Sequence, residues 1–506
     1  MIETKHPALS RIRAITLLLA IAPAGPALAA LPSVTVEIPA PQTPAQSEQP
    51  AGLAVQPVLR SGVAVPLAIA PRATEWEVTG DRAVWEMRID APDAHYLGLR
   101  LDGLMLPDDA TVSLAGRDAR TRGPYTRTDV GPDGRLWIPL VHGGTARLRF
   151  EAPSSMISAL RIGDAELHYG VHPLDGATTK DVGDAGGCHN NVACPLGDDW
   201  DRAIRATVLL VIGNQLVCNG TLINNTLRDR DPLVLTADHC GIRSSEDDGF
   251  TADSVAAVFN FQSRQCNADT GFATNEVLAG ERLLYRDRLS DTALIRLSQA
   301  PPASFGAIYG GWDASGSGAD SGVGVHHPAG DLKKISVFTD PVARQTVTIT
   351  DGSLIGARDQ TVESWRVEWN DGVTEPGSSG SALWSPEERL IGVLSGGSSA
   401  CGNSGFLGIG STPDTLGPDF YGRLDIAFTR GGELGTPLRA FLDPAGSGAR
   451  SVTASDQAAA PGGGMTGGGG NDGGGDSGGG DEGLGLFLVG VALAALRRRF
   501  TMPQRG

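Results

Sequence analysis

Three separated segments carry the residue types that hydrolysis by a serine nucleophile requires. His239 lies in Leu-Thr-Ala-Asp-His-Cys after an apolar run, Asp291 opens another apolar run, and Ser379 lies in Glu-Pro-Gly-Ser-Ser-Gly-Ser. A hydroxyl is a poor nucleophile at neutral pH and needs an imidazole to take its proton. The imidazole needs a buried carboxylate to hold its tautomer, and glycines beside the serine let backbone N–H groups converge on an oxyanion.

The order of the three residues indicates which class of hydrolase they could form. Each residue alone is weak evidence for catalysis. A histidine beside a cysteine is usually packed in the core, an aspartate before a strand is usually a cap, and a Gly/Ser run is usually a loop. Together they follow the order His, Asp, Ser, which is that of chymotrypsin-like enzymes. His326 and His327 could suggest a metal, but no HExxH motif occurs. We interpret them as a structural loop and predict neither metal nor cofactor.

The elements around these residues read as strands. Long amphipathic helical patterns are absent, which favours an all-β fold, either a barrel or a sandwich. Leu438–Leu442 is a plausible short closing helix. A second, smaller antiparallel β domain is predicted from about residue 73, preceded by an extended leader. The runs predicted as strands in the larger domain are Ala206–Ile212, Leu233–Thr236, Ser254–Phe261, Thr292–Leu297 and Leu390–Leu394.

The first 29 residues have the pattern of a secretory signal peptide. Basic residues precede a short apolar run, and Ala27-Leu28-Ala29 supplies small residues for cleavage by signal peptidase after Ala29. Export across the inner membrane makes disulfides possible, and an even number of cysteines suits them. Spacing alone cannot choose among the fifteen pairings that six cysteines allow. The cysteines are Cys188, Cys194, Cys218, Cys240, Cys266 and Cys401.

The far end of the chain reads as a tether followed by a short apolar segment. Residues 448–482 are predicted to be a flexible linker, because 13 of the 21 residues from 462 to 482 are glycine. Residues 483–506 hold an apolar run, Leu484–Leu496, and then three arginines. This three-part pattern resembles the GlyGly-CTERM sorting signals of exported proteins, which implies transient membrane anchoring and removal by a rhomboid-type sorting peptidase. A plain C-terminal anchor is the alternative.

The charge and the lysine count restrict the function further. The formal net charge is −17, which argues against nucleic-acid binding. Only four of the 41 basic residues are lysine: Lys5, Lys180, Lys333 and Lys334. Codon bias explains this most simply, but Lys180 lies eight residues before the first cysteine, at the junction of the two β domains.

Residues 183–447 resemble the bacterial lysyl endopeptidases, which are secreted trypsin-like serine peptidases. All six cysteines follow the order of that family. The resemblance is carried by Gly220–Leu222, the His239 motif, Gly310–Asp313, His326–Pro328, Gly372–Ser381, Phe420–Arg423 and Phe441–Pro444.

The resemblance implies a chymotrypsin-like double β-barrel with defined roles for its residues. His239 is then the general base, Asp291 its orienting carboxylate and Ser379 the nucleophile, and the N–H groups of Gly377 and Ser379 form the oxyanion hole. The resemblance also implies the disulfide pairs Cys188–Cys401, Cys194–Cys266 and Cys218–Cys240.

The resemblance places the lysine-binding carboxylate at Asp419. Val373 occupies the position six residues before Ser379 where trypsin keeps its specificity aspartate. The strand that borders the substrate reads Leu-Ser-Gly-Gly and contributes Ser395, Gly396 and Gly397, whereas the family's type member has histidine in place of Ser395. Strictness for Lys over Arg is therefore an open question.

The sequence thus predicts a self-processing secreted serine endopeptidase. Residues 30–180 are expected to be a propeptide that assists folding and blocks the site, and residues 181–447 the protease domain. Cleavage after Lys180 would free a new N-terminus at Asp181. A propeptide that is instead a surface-binding module, a protease of non-lysyl specificity and an inactive protease-like adhesion protein are the alternatives. We expect a monomer that acts on protein or peptide substrates at the cell surface or outside the cell.

Overall fold

A computed structural model describes most of the chain between residues 32 and 456. Ala29, Lys180, Asp181 and the whole tail from residue 457 lie outside the described residues. Within the described residues no helix is both long and apolar enough to span a membrane. The described residues are 32–35, 59–60, 62–92, 94, 96–117, 121–131, 133–170, 185–244, 249–268, 270–273, 276–349, 360–401 and 417–456.

The N-terminal β domain consists of two sheets over one core. One sheet has the order β1-β5-β10-β7-β8 with β4 also on β5, and the other has the order β3-β11-β6-β9. Strand β5 turns Trp85 and Met87 into the core because alternate side chains of a strand share a face. The strands of this part of the chain, of which all but β2 belong to these two sheets, are β1 Ser33–Thr35, β2 Leu59–Arg60, β3 Gly62–Pro66, β4 Glu77–Thr79, β5 Arg82–Asp90, β6 Tyr96–Leu101, β7 Thr111–Gly116, β8 Thr121–Tyr125, β9 Leu136–His142, β10 Thr145–Pro153 and β11 Ala165–Gly170.

Short strands form within residues 31 to about 72, the segment predicted as an extended leader. Strand β1 pairs with β5 in parallel, β3 pairs with β11, and β2 joins the sheet of the next domain. The reason is tertiary, since these short segments have no periodic pattern of their own and form strands on edges that other strands present.

The next part of the chain closes a six-stranded barrel. Its order is β13-β18-β19-β20-β15-β14, and β14 pairs back onto β13. Every residue of β13, β14 and β15 is buried, which explains their continuous apolar runs. Helix α1 spans Asp201–Ala206. The strands are β12 Asn190–Asn191, β13 Thr207–Ile212, β14 Leu216–Ile223, β15 Leu233–Thr236, β16 Ile242–Arg243, β17 Phe250–Thr251, β18 Val255–Val258, β19 Val277–Asp287 and β20 Thr292–Leu297.

A second barrel follows, with the strand order β24-β23-β27-β28-β29-β26. A bridge between Val337 in β24 and Asp371, just after β26, brings its two ends together. Helices α2 Leu424–Thr429 and α3 Arg439–Leu442 follow β29. The strands are β21 Ile308–Tyr309, β22 Gly311–Asp313, β23 Gly322–His326, β24 Lys334–Phe338, β25 Ala343–Ile349, β26 Gln360–Val367, β27 Ala382–Trp384, β28 Arg389–Gly397, β29 Asp419–Arg423, β30 Ser451–Val452 and β31 Ser455–Asp456.

These two barrels confirm the predicted all-β fold class, a double β-barrel preceded by a small β domain. The boundary at residue 447 was placed too early, because β30 pairs with β22 and β31 with β21. The strands between residues 448 and 456 add to sheet edges and contain little apolar periodicity, so the sequence pattern did not mark them.

The N-terminal β domain contacts the first barrel. Strand β2 pairs with Leu216 and Val217 of β14. Tyr96 and Leu140 of the β domain share an apolar cluster with Leu209 of β13 and other barrel residues. These contacts bury an apolar face of the first barrel under the β domain.

Candidate active site

His239 is fixed by the turn that follows strand β15. A short 3-10 turn spans Asp238–Cys240 and ends at Gly241, whose φ of 83° is left-handed and suits glycine. The disulfide Cys218–Cys240 ties this turn to the neighbouring strand β14. The imidazole is therefore attached at its base to two strands of the first barrel.

Asp291 holds the His239 side chain and backbone together. It lies between β19 and β20 with a φ of 48°, a left-handed conformation that aspartate tolerates better than most residues. Its Oδ1 accepts the backbone N–H of His239 at 2.9 Å, and its Oδ2 lies 2.7 Å from Nδ1. Because an ionised carboxylate only accepts hydrogen bonds, Nδ1 carries the ring hydrogen of the neutral imidazole and Nε2 carries none. Nε2 is then the basic nitrogen, as a general base requires.

Asp238 places a second carboxylate beside the histidine, and sequence reasoning gave it no role. Its Oδ1 accepts from Arg286 Nε at 2.7 Å, and Arg243 contacts the same oxygen at 3.3 Å. Two arginines therefore pair with this buried carboxylate. The motif Asp-His was the only sequence signal, and the arginines come from two other segments.

Ser379 lies in a tight turn between β26 and β27. Gly377 and Gly380 have φ values of 94° and 80°, which glycine adopts without strain. A Cβ on Gly380 would lie 2.5 Å from Thr236 Oγ1 and 3.2 Å from the backbone nitrogen of Ala237. The turn that carries Ser379, called the nucleophile turn below, therefore packs against Thr236 and Ala237, which lead directly into His239.

Asn219 joins the nucleophile turn to the first barrel and was missed in the sequence. Its backbone N–H donates to the Ser379 carbonyl at 2.7 Å, and its Nδ2 donates to the Gly377 carbonyl at 2.7 Å. Its carbonyl accepts from Thr236 Oγ1 at 2.6 Å and its Oδ1 from the His327 N–H at 2.8 Å. Its position beside Cys218 was the only available signal.

Asp419 begins strand β29 and is fully buried. Its Oδ2 accepts from Trp369 Nε1 at 2.6 Å, Thr374 Oγ1 at 2.7 Å and Ser399 Oγ at 2.6 Å. Its Oδ1 accepts the Ser399 N–H at 3.2 Å. Burial raises the pKa of Asp419 even though these hydrogen bonds favour the charged form. Within the described residues, all of these donors are neutral.

The predicted substrate strand lies beside this carboxylate. Gly397 of β28 pairs with Asp419, and a Cβ there would lie 1.9 Å from Asp419 Oδ1. Only glycine therefore fits at residue 397. Ser395 and Gly396 precede it on β28, and Ser395 is fully buried. The structure thus brings Gly397 directly against Asp419, but the donors Trp369, Thr374 and Ser399 had no sequence signal.

The three cystine pairs are those implied by the family resemblance. Cys188 bonds Cys401 across 213 residues, Cys194 bonds Cys266, and Cys218 bonds Cys240. Cys188, His189 and Cys401 also form a group of metal-ligating residue types in the described part of the chain. Sulfur ligates metal as thiolate, so an oxidised pair is not a ligand set.

The lysines that the structure describes have structural contacts. Lys333 is fully buried, and its Nζ donates to the Ile204 carbonyl at 2.7 Å and to Gln262 Oε1 at 3.0 Å. Burial lowers its pKa to about 7. Lys334 Nζ donates to Asn191 Oδ1 at 2.7 Å. Neither side chain is presented as a substrate.

Comparison with known proteins gives a family match over the barrel domain. Residues 182–412 match the family model "Lysyl endopeptidase, C-terminal domain". A lysyl endopeptidase of Pseudomonas aeruginosa is 30% identical over 315 residues, which is 59% of this chain and 64% of that protein. The chain therefore matches somewhat less than two thirds of the length of this relative.

Solved structures of low sequence identity also align with part of the chain. The inactive form of Rv3671c from M. tuberculosis is 14% identical, covers 50% of this chain and 93% of its own, and has a TM-score of 0.27. Human heparin binding protein is 14% identical, covers 44% of this chain and 88% of its own, and has a TM-score of 0.29.

The family match covers Ser379, His239 and Asp291, all three cystine pairs and the glycine turns described above. It ends before Asp419. Residues 182–412, which hold the first barrel and most of the second, are therefore similar to the C-terminal domain of the lysyl endopeptidases.

Proposed function

We propose that this chain is a secreted serine endopeptidase that cleaves after lysine. The observation that carries the proposal is the buried His239–Asp291 pair, joined at 2.7 Å, with the Ser379 turn packed against the base of the His239 turn. The two residues of the pair come from the first barrel and the serine from the second. The active site therefore forms only where the two barrels meet.

The reaction follows from the hydrogens that this arrangement fixes. Asp291 accepts the Nδ1 hydrogen, so Nε2 of His239 takes the proton of Ser379 as its Oγ attacks the peptide carbonyl. The N–H groups of Gly377 and Ser379 stabilise the oxyanion, and His239 then protonates the leaving amine. Water hydrolyses the acyl-enzyme by the same proton transfers in reverse.

Lysine specificity is assigned to Asp419. Three neutral donors occupy Oδ2, whereas Oδ1 accepts one N–H at 3.2 Å and faces Gly397. A buried carboxylate with neutral donors gains most from a cation that reaches it. The name of the Pseudomonas aeruginosa relative supports lysine as that cation. Acceptance of arginine is the alternative that Ser395 leaves open.

The precursor is proposed to mature by its own activity at Lys180. Lys333 and Lys334 are the other lysines of the barrel domain, and both are buried and hydrogen-bonded. The enzyme therefore carries few lysyl bonds that it can attack in its folded state. The N-terminal β domain contacts β13 and β14, which supports a role in folding the first barrel.

The remaining proposals concern location and partners. We propose export with removal of the signal peptide after Ala29 by signal peptidase and action at the cell surface or outside the cell. The C-terminal segment would anchor the chain transiently until a rhomboid-type sorting peptidase removes it. Three disulfides support an oxidising compartment. The enzyme is expected to act on proteins or peptides as a monomer.

Labelling and turnover of the Ser379→Ala variant test the reaction. Wild-type protein should react with a fluorophosphonate at Ser379 alone and hydrolyse a lysyl ester. The variant should be exported and folded, lose labelling and lose about 10⁶-fold in kcat. Labelling that persists in the variant, or wild-type protein that never labels, would contradict the proposal and favour an inactive scaffold.

Mapping the cleavage sites in a denatured protein of known sequence tests the specificity. Cuts after lysine alone support strict specificity, and cuts after both lysine and arginine support the broader one. Cuts after small residues would overturn the role of Asp419. Self-processing is tested in the Ser379→Ala protein made without other proteases, which should stay joined at Lys180–Asp181.

A further inference from the structure

His326 is a buried histidine beside the nucleophile turn that the reaction itself does not use. It ends strand β23 and is fully buried. Its Nδ1 lies 2.8 Å from Ser378 Oγ, and its Nε2 lies 3.1 Å from Ser336 Oγ in the adjacent strand β24. Both ring nitrogens therefore contact serine hydroxyls, one of which belongs to the residue directly before the nucleophile.

The hydroxyl partners fix the position of every hydrogen in this group. Ser336 Oγ donates its single hydrogen to the Val373 carbonyl at 2.7 Å, so it can only accept from His326. Nε2 of His326 must then carry a hydrogen. In the neutral ring Nδ1 accepts, so Ser378 donates to it and accepts the Glu375 N–H at 3.2 Å.

The surroundings of the ring keep it neutral. The His189 ring lies with its centroid 5.5 Å away, His327 is the next residue, and Lys334 is nearby. Burial, together with these basic groups, lowers the pKa of His326 well below its usual value. Glu375 is the acid on this side, and it lies 3.1 Å from His189 Nε2 rather than on the His326 ring.

We propose that His326 is a positioning residue that sets the shape of the nucleophile turn, whose Gly377 and Ser379 N–H groups form the proposed oxyanion hole. This inference rests on the serine endopeptidase activity proposed above. The hydrogen-bond chain begins at the Glu375 N–H, passes through Ser378, the ring and Ser336, and ends at the Val373 carbonyl. Both ends thus lie in the segment 373–379, and the ring anchors that segment to strand β23.

The location of this anchor explains why the turn conformation depends on it. Gly377 lies between the two held points and has a φ of 94°, and a Cβ there would lie 3.0 Å from the Gly330 nitrogen. Its N–H must point toward the oxyanion rather than into the protein. Asn219 holds its carbonyl from one side, and the Ser378 hydroxyl holds the next residue from the other.

Kinetics of His326 variants test the proposal. His326→Leu should lower kcat on a lysyl ester at least tenfold per site titrated with fluorophosphonate, with KM within twofold. Asn can place an acceptor where Nδ1 lies, so His326→Asn should recover part of that loss. A peptide boronic acid, which fills the oxyanion hole, should bind His326→Leu more weakly by a similar factor.

Controls separate this role from folding and from the proposed function. Ser254→Ala removes another buried hydroxyl, which donates to the Thr251 carbonyl in the first barrel, and should keep wild-type kcat. A His326→Leu enzyme with wild-type kcat per titrated site, or with a change in KM alone, overturns the inference. Wild-type protein that neither labels nor turns over contradicts the proposed function instead.

Two further measurements apply if His326→Leu does not fold. Ser378→Ala removes the donor to Nδ1 and should lower kcat in the same way, with KM retained. In the wild-type protein, nitrogen-15 spectra of labelled histidine should show His326 as the neutral Nε2–H tautomer from pH 6 to 8. A signal for Nδ1–H or for a doubly protonated ring, assigned by its loss in His326→Asn, would overturn the proposal.

Discussion

Two buried carboxylates, one in each barrel, are held in opposite ways. Asp291 of the first barrel accepts a backbone N–H and an imidazole N–H from the same residue, His239. Asp419 of the second barrel accepts four hydrogen bonds, all from neutral groups of Trp369, Thr374 and Ser399. The first carboxylate has a partner that becomes cationic during the reaction. The second is the carboxylate that we propose binds a cation of the substrate.

The difference separates catalysis from recognition. A charge with a permanent partner is needed for every substrate, so its loss should lower turnover of all substrates alike. A charge without a cationic partner in the free enzyme is needed only for cationic substrates. Its loss should change which substrate is chosen and leave the chemistry intact.

Among the substitutions that test this comparison, Asp291→Asn is expected to lower activity most. The amide can donate to the wrong imidazole nitrogen and stabilise the wrong tautomer, so kcat should fall about 10⁴-fold on lysyl and uncharged esters alike. Parallel kinetics on the two esters measure this. A loss confined to the lysyl ester would contradict the assignment of Asp291.

Asp419→Asn should have a smaller and selective effect. Removing one partner of a buried charge pair costs about 2–5 kcal/mol, so kcat/KM for a lysyl ester should fall by a factor between about 30 and about 4,000. Turnover of a norleucine ester, which has the same chain without the ammonium, should stay within threefold. Equal losses on both esters would place Asp419 in the catalytic machinery or in folding.

The raised pKa of Asp419 predicts a pH-dependent preference. As pH falls through that pKa the carboxyl group becomes neutral, so the ratio of lysyl to norleucine turnover should fall. Taking the ratio cancels the pH effects that the two substrates share. In the free enzyme, the raised pKa of Asp419 means that the protein is more stable at low pH, where this carboxyl group is neutral. That stability is lost as the pH rises through the raised pKa. Thermal unfolding should therefore show that Asp419→Asn gains stability at neutral pH.

Thr374→Ala should give the smallest effect. It removes one of three donors to Asp419 Oδ2, which is worth about 1 kcal/mol. We expect KM for the lysyl ester to rise about fivefold with kcat retained, while Thr374→Ser keeps the hydroxyl and the wild-type KM. An unchanged KM in Thr374→Ala would show that this hydrogen bond does not help Asp419 to bind the lysyl side chain.

Sequence reasoning reached the residues that carry local patterns. The His239 and Ser379 motifs are recognisable because each is a compact string of special residues next to an apolar strand. The barrel strands Thr207–Ile212 and Thr292–Leu297 were predicted within a residue because continuous burial gives continuous apolar runs. Residues such as Asn219 and Ser399 have no such pattern, because their role comes from partners more than 20 residues away or in another strand.

Residue types, their order and their apolar runs therefore determined the class of fold, the three candidate catalytic residues and the presence of disulfides. Tertiary structure alone decided which groups pair with the buried charged and polar side chains: two arginines for Asp238, neutral donors for Asp419, and two serines for His326. The physical reason is that a buried polar atom must find a partner within about 3 Å. Which residue becomes that partner depends on which strands lie side by side. The neighbouring residues along the chain do not specify this.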